Sequence, residues 1–352
     1  MWRKFGDSLL KVASVFFLGV LIFTGCKSIG PKELTANRID YSSALGESWK
    51  KMMLLNIIKV RYLEPPTFLS VGQMVSNYSF QTSGNIGVSA YGVGNTIMYS
   101  DNPTITFIPL TGEKFLKTFL NPIDPARIFA MVQAGYPVDF ILQLCLESLN
   151  GIHNQSSRDM SQRTADPAFY KILSLLREIQ DAGSIGLQVN RTIEGTPTIG
   201  FFFSGEMVKP EIQAKIGETR GMLGLIGTRS TFTLVSSPLQ GDTGELSVDP
   251  RSLIQIMTAV GIGIDLPPSH VNRHLTPPLA VEIAPESLLM HVYSGSACPA
   301  DAFVAVPYQG EWFWIANDDW KSKRTFTTIL FLFTLSDTGT SQEIPTLIFP
   351  AR

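Results

Sequence analysis

The first 26 residues decide where the folded part of this chain can begin. Three basic residues, Arg3, Lys4 and Lys11, come before or at the start of an apolar run from Val12 to Phe23. A membrane-spanning helix needs about 20 apolar residues, and this run is only about a dozen long. A basic start followed by a short apolar run and small residues is typical of an export signal. We therefore expect residues 1–25 to be cleaved.

The motif FTGC, which ends at Cys26, resembles the lipobox of bacterial lipoproteins. In that family a hydrophobic residue and two small ones precede a cysteine whose thiol receives diacylglycerol. Thr24, Gly25 and Cys26 match the pattern, whereas Phe23 stands where the family usually has leucine. The resemblance implies that the mature chain starts at Cys26, which becomes the lipid attachment site and carries a further acyl group, such as palmitate, on its amine. An ordinary secretory signal with an unrelated cysteine is the alternative.

A lipid at Cys26 would anchor the protein to a membrane. Each buried lipid methylene contributes about 0.8 kcal/mol, so several acyl chains hold a protein there essentially permanently. Residue 27 is Lys27 and not the aspartate that retains enterobacterial lipoproteins in the inner membrane. We therefore expect residues 26–38 to be a lipidated tether at the outer membrane, with the body in the periplasm. The inner membrane is the alternative.

The composition is that of a folded body. Hydrophobic residues make up 44% of the chain, charged residues 16%, and the formal net charge is −2. This balance allows a substantial core and argues against disorder. Nucleic-acid binding is also disfavoured, because it needs a concentrated basic surface and no Lys/Arg run follows the signal. The low charged fraction indicates buried sheet, an oligomer surface or a membrane-facing patch.

The predicted elements indicate an α+β fold of two lobes, residues 39–155 and 156–352. Length supports two lobes, because the chain exceeds one typical domain. The polar stretch of residues 150–166 has no periodicity and is predicted to separate them. In the second lobe, two regions each show the order strand, strand, helix, strand, at residues 185–237 and 302–350. Antiparallel hairpins covered by helices are therefore expected.

The first lobe combines a long helix with a Gly-rich hairpin. Asp40 is predicted to cap this helix, and apolar residues recur at helical spacing from Leu45 to Tyr62. The helix is expected to be buried on more than one side or against a partner. Strands at residues 74–80 and 86–90 are predicted to form the hairpin. It is interpreted as packed on the body. Alternatively it joins neighbouring subunits or enters the outer membrane, since alternation without charge is typical of lipid-facing strands. The segment TITFIPL, from Thr104, is predicted to be a separate buried strand.

Histidine patterns give little support for a metal site. His270 and His274 are four positions apart, which would place both on one helix face. Prolines on both sides of this segment leave room for barely two helical turns, so two surface loop histidines are the preferred interpretation. His153 and His291 stand apart from any cysteine or carboxylate cluster in the sequence and are interpreted as structural. No metal and no cofactor is predicted.

Catalytic motifs are equally weak. No GxSxG motif occurs, and the SxxK formed by Ser48 and Lys51, with SerAspAsn at 100–102, lacks the later KTG of penicillin-binding enzymes. Ser48 also lies in the middle of a predicted helix. Cys145 and Cys298 could pair in an oxidising compartment, but two separate thiols are preferred.

The aromatic residues near the C-terminus allow two interpretations. Trp312, Trp314 and Trp320 could form a platform for a sugar or a peptide. In a strand, however, Trp312 and Trp314 would share a face that packs equally well beneath the following helix, and core packing is preferred.

Three segments, SWKKMMLLNIIKVRY, TITFIPLTGEKF and SKRTFTTILFLFTL, are similar to those of a family of predicted Gram-negative lipoproteins without an assigned activity. The resemblance carries no catalytic or binding residues. The sequence thus predicts a lipid-anchored envelope protein, more structural or assembly component than enzyme, with the membrane and possible protein partners or further copies of itself as partners. An anchored envelope hydrolase, or an oligomer that uses the hairpin as a membrane or subunit contact, is the alternative.

Overall fold

The computed structural model describes residues 31–84, 95–156, 164–191, 197–203, 209–227, 229–278 and 288–336. The chain divides into two units, residues 1–51 and residues 52–352. All the described strands lie in the second unit, where they form sheets of two, three and six strands. Helices and mixed or antiparallel sheets occur together, so the fold is α+β, as predicted. No described helix has the length and apolar content needed to cross a membrane.

Helix α1 covers Pro31–Arg61. The predicted start at Asp40 is wrong, because the preceding residues already favour a helix: Pro31 suits the first helical position and Lys, Glu, Leu and Ala follow. Within the second unit, the side chains of Met53, Leu54 and Ile57 are fully buried. The apolar stripe predicted for this helix is therefore confirmed where it enters the core.

Strands β1 (Leu69–Gly84) and β2 (Asn95–Pro109) form a long antiparallel ribbon. The hairpin prediction is right about the first strand, but the paired second strand begins at Asn95. The segment predicted as that second strand, residues 86–90, lies outside the described residues. TITFIPL belongs to β2 and is not a separate strand. Its burial was also predicted wrongly, since residues 106–109 are exposed.

A series of short helices follows the ribbon. They are α2 (Gly112–Phe115), which continues as a π-helical turn over Leu116–Leu120, then α3 (Pro125–Gln133), α4 (Val138–Cys145) and α5 (Pro167–Asp181). Asp124 caps α3, since its Oδ1 accepts from the backbone N–H of Ala126 at 2.9 Å. Gly183 follows α5 with φ of 70°, a left-handed conformation that glycine adopts without strain. Both helix ends therefore carry a residue type that favours the observed helix terminus.

A six-stranded sheet forms the centre of the second unit. Its strands are β3 (Leu146–Leu149), β4 (Ile152–His153), β5 (Ile185–Arg191), β6 (Pro197–Phe203), β7 (Thr231–Ser236) and β8 (Glu245–Pro250), in the order β4-β3-β8-β7-β6-β5. Neighbours are antiparallel except β7 and β8, which are parallel. Strands from both sides of the predicted boundary at residue 155 share this sheet, and the division into two lobes is not confirmed.

Polar side chains from the predicted boundary segment lie inside this sheet's core. Asn150 accepts from the backbone N–H of Ser247 at 2.9 Å and donates to the carbonyl of Leu223. Asn154 donates to the carbonyls of Gln143 and Leu146, both at 2.8 Å. Buried amides with their hydrogen bonds satisfied stabilise an irregular chain. The polar side chains of residues 150–154 therefore belong to a buried connection and not to a solvated linker.

The remaining elements are α6 (Pro210–Met222), α7 (Leu253–Gly261), α8 (Pro268–Asn272), β9 (Tyr293–Gly295), β10 (Val304–Tyr308), β11 (Glu311–Ile315) and α9 (Trp320–Ser336). The first predicted strand-strand-helix-strand region is confirmed as β5, β6, α6 and β7. The second is confirmed for β10, β11 and α9, while its last strand lies outside the described residues. Strands β10, β11 and β9 form a separate antiparallel sheet.

Candidate functional site

The β1–β2 ribbon is the most unusual feature of the second unit. Its strands have 16 and 15 residues and, among the described residues, form a sheet of two strands only. At about 3.4 Å per residue such a ribbon is about 50 Å long. The outer edge of each strand carries backbone N–H and C=O groups that can pair with a further strand. The ribbon is therefore a candidate contact surface.

The residues of the ribbon are almost uncharged. Between Glu64 and Glu113 the sequence contains one charged residue, Asp101. Opposed residues of an antiparallel pair lie on the same face, so the register divides the positions into two sets. One set is polar and pairs Asn77 with Asn102 and Ser79 with Ser100. The other is richer in apolar and aromatic residues, with the pairs Met74–Ile105, Tyr78–Asp101, Phe80–Tyr99 and Thr82–Ile97.

The base of the ribbon is attached firmly to the core. Phe68, just before β1, stacks on Phe119 with ring centroids 4.1 Å apart. The side chain of Asn56 binds both the N–H and the carbonyl of Thr67, at 2.8 and 2.7 Å. Beyond this attachment, apolar side chains of the ribbon are exposed to solvent: Leu69 is 41% and Phe107 54% exposed. An exposed phenylalanine on a strand that, among the described residues, lies at the edge of its sheet is typical of a surface that takes a partner.

A second surface contains three rings in contact, His291, Tyr293 and Trp314, which we name the aromatic row. The His291 and Tyr293 ring centroids are 4.0 Å apart, and those of Tyr293 and Trp314 are 5.9 Å apart with an interplanar angle of 18°. Strand pairing brings them together, because Trp314 of β11 is opposite Tyr293 of β9. All three side chains are half-buried. They present rings to solvent from a regular sheet.

The aromatic row is held in place by hydrogen bonds from three directions. His291 Nε2 lies 2.9 Å from Asp265 Oδ1, and the His291 backbone N–H donates to Ser322 Oγ at 2.8 Å. Ser322 in turn donates to Asp319, the residue before α9, through both its backbone N–H and its hydroxyl. Three segments thus fix the position of His291: the loop before α8, strand β9 and the start of α9.

The charges around the aromatic row are mainly negative. The hydrogen bond to Asp265 raises the pKa of His291 above its ordinary value. The pKa of Tyr293 is also raised, first by burial and then by the carboxylates of Asp319, Asp265 and Asp318. Three carboxylates therefore act on the same phenol from two separate segments of the chain.

The candidate residues considered from the sequence lie on several different elements or outside the described residues. Cys26 lies outside the described residues. His270 is buried, not on the surface as predicted: its Nδ1 is 2.7 Å from the Tyr62 hydroxyl and its Nε2 is 3.2 Å from the carbonyl of Gln309. His274 is exposed, and no group of three potential metal ligands occurs among the described residues. Ser48 lies in α1, as expected.

The structure also shows the environments of two cysteines and two tryptophans considered from the sequence. Cys145 is buried and Cys298 exposed, and both are free thiols. The preferred core packing of Trp312 and Trp314 is wrong, because alternation along β11 buries Phe313 and leaves both tryptophans half-exposed.

Sequence reasoning also missed the contact of His291 with Asp265. These residues are 26 positions apart, without a local pattern that connects them. The alternation of Trp312 and Trp314 was the one available signal for an exposed aromatic face. Comparison with protein-family models, curated proteins and solved structures gives no match.

Proposed function

We propose that this chain is a lipid-anchored, periplasm-facing envelope protein that acts as a structural or assembly component and not as an enzyme. The lipobox-like motif at Cys26 supports the anchor and the outer membrane as its location. One observation carries the assembly role: the β1–β2 ribbon has two long outer edges and a single charged residue, Asp101. Through this ribbon, copies of the protein join one another in the envelope.

The physical argument concerns the strand edges. Proteins usually protect an edge strand with lysines, prolines, bulges or a covering element, because an open edge recruits other strands. An isolated two-stranded hairpin is marginally stable in water, and further strands increase its stability. In the ribbon one bulge lies near the base, between Val71 and Gln73, and Pro103, which has no backbone N–H, lies within β2. The rest of each strand edge is suited to pairing with the same ribbon of a second copy of the protein.

The anchor is tested by mass spectrometry of protein produced in a Gram-negative host. We expect an N-terminal peptide that starts at Cys26 with a diacylglycerol thioether and an acylated amine, recovered from the outer-membrane fraction. The variant Cys26→Ser should lack lipid and leave the membrane fraction. An intact N-terminus, or a mature end without fatty acid, contradicts the anchor.

The assembly role is tested by placing charges on the ribbon. The double variant Ser79→Lys, Ser100→Lys puts two cations at one register position, where neighbouring copies would repel each other. We expect the detergent-extracted native protein to be oligomeric by light scattering and this variant to have a lower mass. The matched control is Ser269→Lys, Ser296→Lys, which adds the same charge at exposed positions elsewhere. A monomeric native protein, or equal masses for all three, contradicts the proposal.

A second role for the ribbon is contact with lipid. The aromatic and apolar set of register positions, which includes Phe80 and Tyr99, favours it, because aromatic residues concentrate at membrane interfaces. Flotation of Cys26→Ser protein with phospholipid vesicles separates the two roles. Binding that is lost in Phe80→Ser, Tyr99→Ser supports lipid contact. Self-association without flotation leaves the ribbon as a subunit contact alone.

A further inference from the structure

The aromatic row lies on an open sheet face. Along β11, Phe313 and Ile315 are fully buried, so Trp312 and Trp314 belong to the opposite face. The register places small residues beside them: Trp312 is opposite Gly295, and Trp314 is opposite Ala305. On their other sides, Trp312 is opposite Pro307 and Trp314 is opposite Tyr293. The Tyr293 and Trp314 rings therefore lie side by side, and a ligand side chain can lie flat against this pair.

Gly295 leaves close room for the indole of Trp314. A Cβ added at Gly295 would lie 3.3 Å from Cη2 of Trp314, closer than most real Cβ contacts. The six-membered part of the indole thus lies over the backbone of β9, next to the Tyr293 ring. Glycine at this position allows a platform of two rings on adjacent strands.

The charge at this platform is suited to a cation. Aromatic faces carry a negative quadrupole, which attracts ammonium and guanidinium groups. Asp265 and Asp318 are exposed, and their carboxylates, with that of Asp319, contribute to the raised pKa of Tyr293. The protein already holds one cation in this way: the Arg324 guanidinium lies 4.2 Å from the centroid of Phe140 and 5.4 Å from that of Trp320.

We propose that the platform formed by Tyr293 and Trp314, with Asp265 beside it, binds a lysine or arginine side chain of a partner polypeptide. A neutral sugar could stack on the same rings, but three carboxylates favour a cationic ligand over a neutral one. His291 is the titratable base that faces the phenol, and it opposes a bound cation when protonated. Binding is therefore strongest where His291 is neutral. This site is independent of the ribbon.

The test uses two short peptides that differ only in charge. Blocked tri-arginine is compared with blocked tri-citrulline, its neutral counterpart of the same shape, by calorimetry with the Cys26→Ser protein. The assay is run on the alkaline side of the His291 titration, which is located by NMR, because the hydrogen bond to Asp265 raises the pKa of His291 above the ordinary imidazole value of about 6.5. We expect tri-arginine to bind at least about tenfold more tightly, in the range of a cation–π contact with added carboxylates. Equal binding of both peptides overturns the proposal.

Variants separate the rings from the charge. Trp314→Leu and Asp265→Asn should each weaken tri-arginine binding about fivefold or more, and Trp314→Phe should retain part of it. The control Trp320→Leu removes an indole that is 70% exposed and lies outside the platform, and should leave binding unchanged. Circular dichroism checks that each variant folds. Should Asp265→Asn weaken binding while folded Trp314→Leu does not, the contact is purely electrostatic and the platform is refuted. Binding of a chitin oligosaccharide in place of tri-arginine also refutes it.

Discussion

Arg251 and Glu147 form an ion pair in the protein interior, with Arg251 Nε 3.0 Å from Glu147 Oε2 and side chains only 1% and 3% exposed. The guanidinium also donates to the carbonyls of Gln143, Leu144 and Gln155. Arg251 follows β8 and Glu147 lies in β3, so the ion pair joins two neighbouring strands of the sheet. The hydrogen bonds to Gln143 and Leu144 connect Arg251 to the end of α4. All these contacts satisfy a charge that burial would otherwise make unfavourable.

We expect Glu147→Gln to destabilise the protein strongly. The substitution keeps the shape of the side chain but leaves the guanidinium of Arg251 buried without its counter-charge, which costs about 3–5 kcal/mol. Urea unfolding followed by circular dichroism measures the change in the free energy of unfolding.

The matched control is Asp181→Asn, which breaks the ion pair with Arg177. Those side chains are 59% and 37% exposed, and the N–O distance is 3.1 Å. Exposed pairs contribute about 1 kcal/mol or less, so this variant should unfold almost like the native protein. Equal losses of unfolding free energy in the two variants would show that the interior ion pair contributes no more to stability than the exposed one.

The interior orientation of β11 leads to a second prediction. Phe313→Ala should cost about 3–5 kcal/mol, since it removes a fully buried ring next to Tyr62 and His270. Trp312→Ala, at the neighbouring half-exposed position, should cost clearly less although the side chain is larger. Thermal unfolding of both variants provides the comparison. A larger loss for Trp312→Ala would restore the core packing that the sequence favoured.

Local signals predicted much of the secondary structure. Asp124 and Asp166, each before a proline, mark the starts of α3 and α5, because these residue types act at helix ends through neighbours in the chain. Strand patterns likewise located β5 and β6, which are close together in the sequence. In these cases the determinants of structure lie within a few positions of one another.

Features that depend on distant residues could not be predicted. Alternation along β11 divides Trp312 and Phe313 into two faces, but only the packing of the distant Tyr62 and His270 rings against Phe313 decides which one is buried. The contact of His291 with Asp265 likewise depends on the pairing of residues 264 and 292, which has no sequence signature. The register of the ribbon also depends on residues that are apart in the sequence, since the paired strands β1 and β2 are separated by ten residues, 85–94.

The two described thiols should differ sharply in reactivity. Cys145 is fully buried, and burial raises its pKa to about 12, so little thiolate forms near neutral pH. Cys298 is exposed. In the native Cys26→Ser protein we expect a thiol reagent to modify Cys298 quickly and Cys145 only after unfolding. The variant Cys298→Ser should show no fast phase. Protection of both thiols until reduction would indicate a disulfide and contradict the two free thiols.

The pair of His291 and Asp265 predicts a pH dependence with a definite sign. The hydrogen bond to Asp265 raises the pKa of His291 above about 6.5, the ordinary imidazole value, so the folded state binds the proton more tightly than the unfolded state. This contribution to stability is complete below about 6.5 and is lost as the pH rises through the folded-state pKa. NMR titration should show the pKa of His291 falling in Asp265→Asn, and that variant should be more destabilised at about pH 5.5 than at about pH 8. A deficit that is equal at both pH values would mean that Asp265 supports the loop without stabilising the imidazolium.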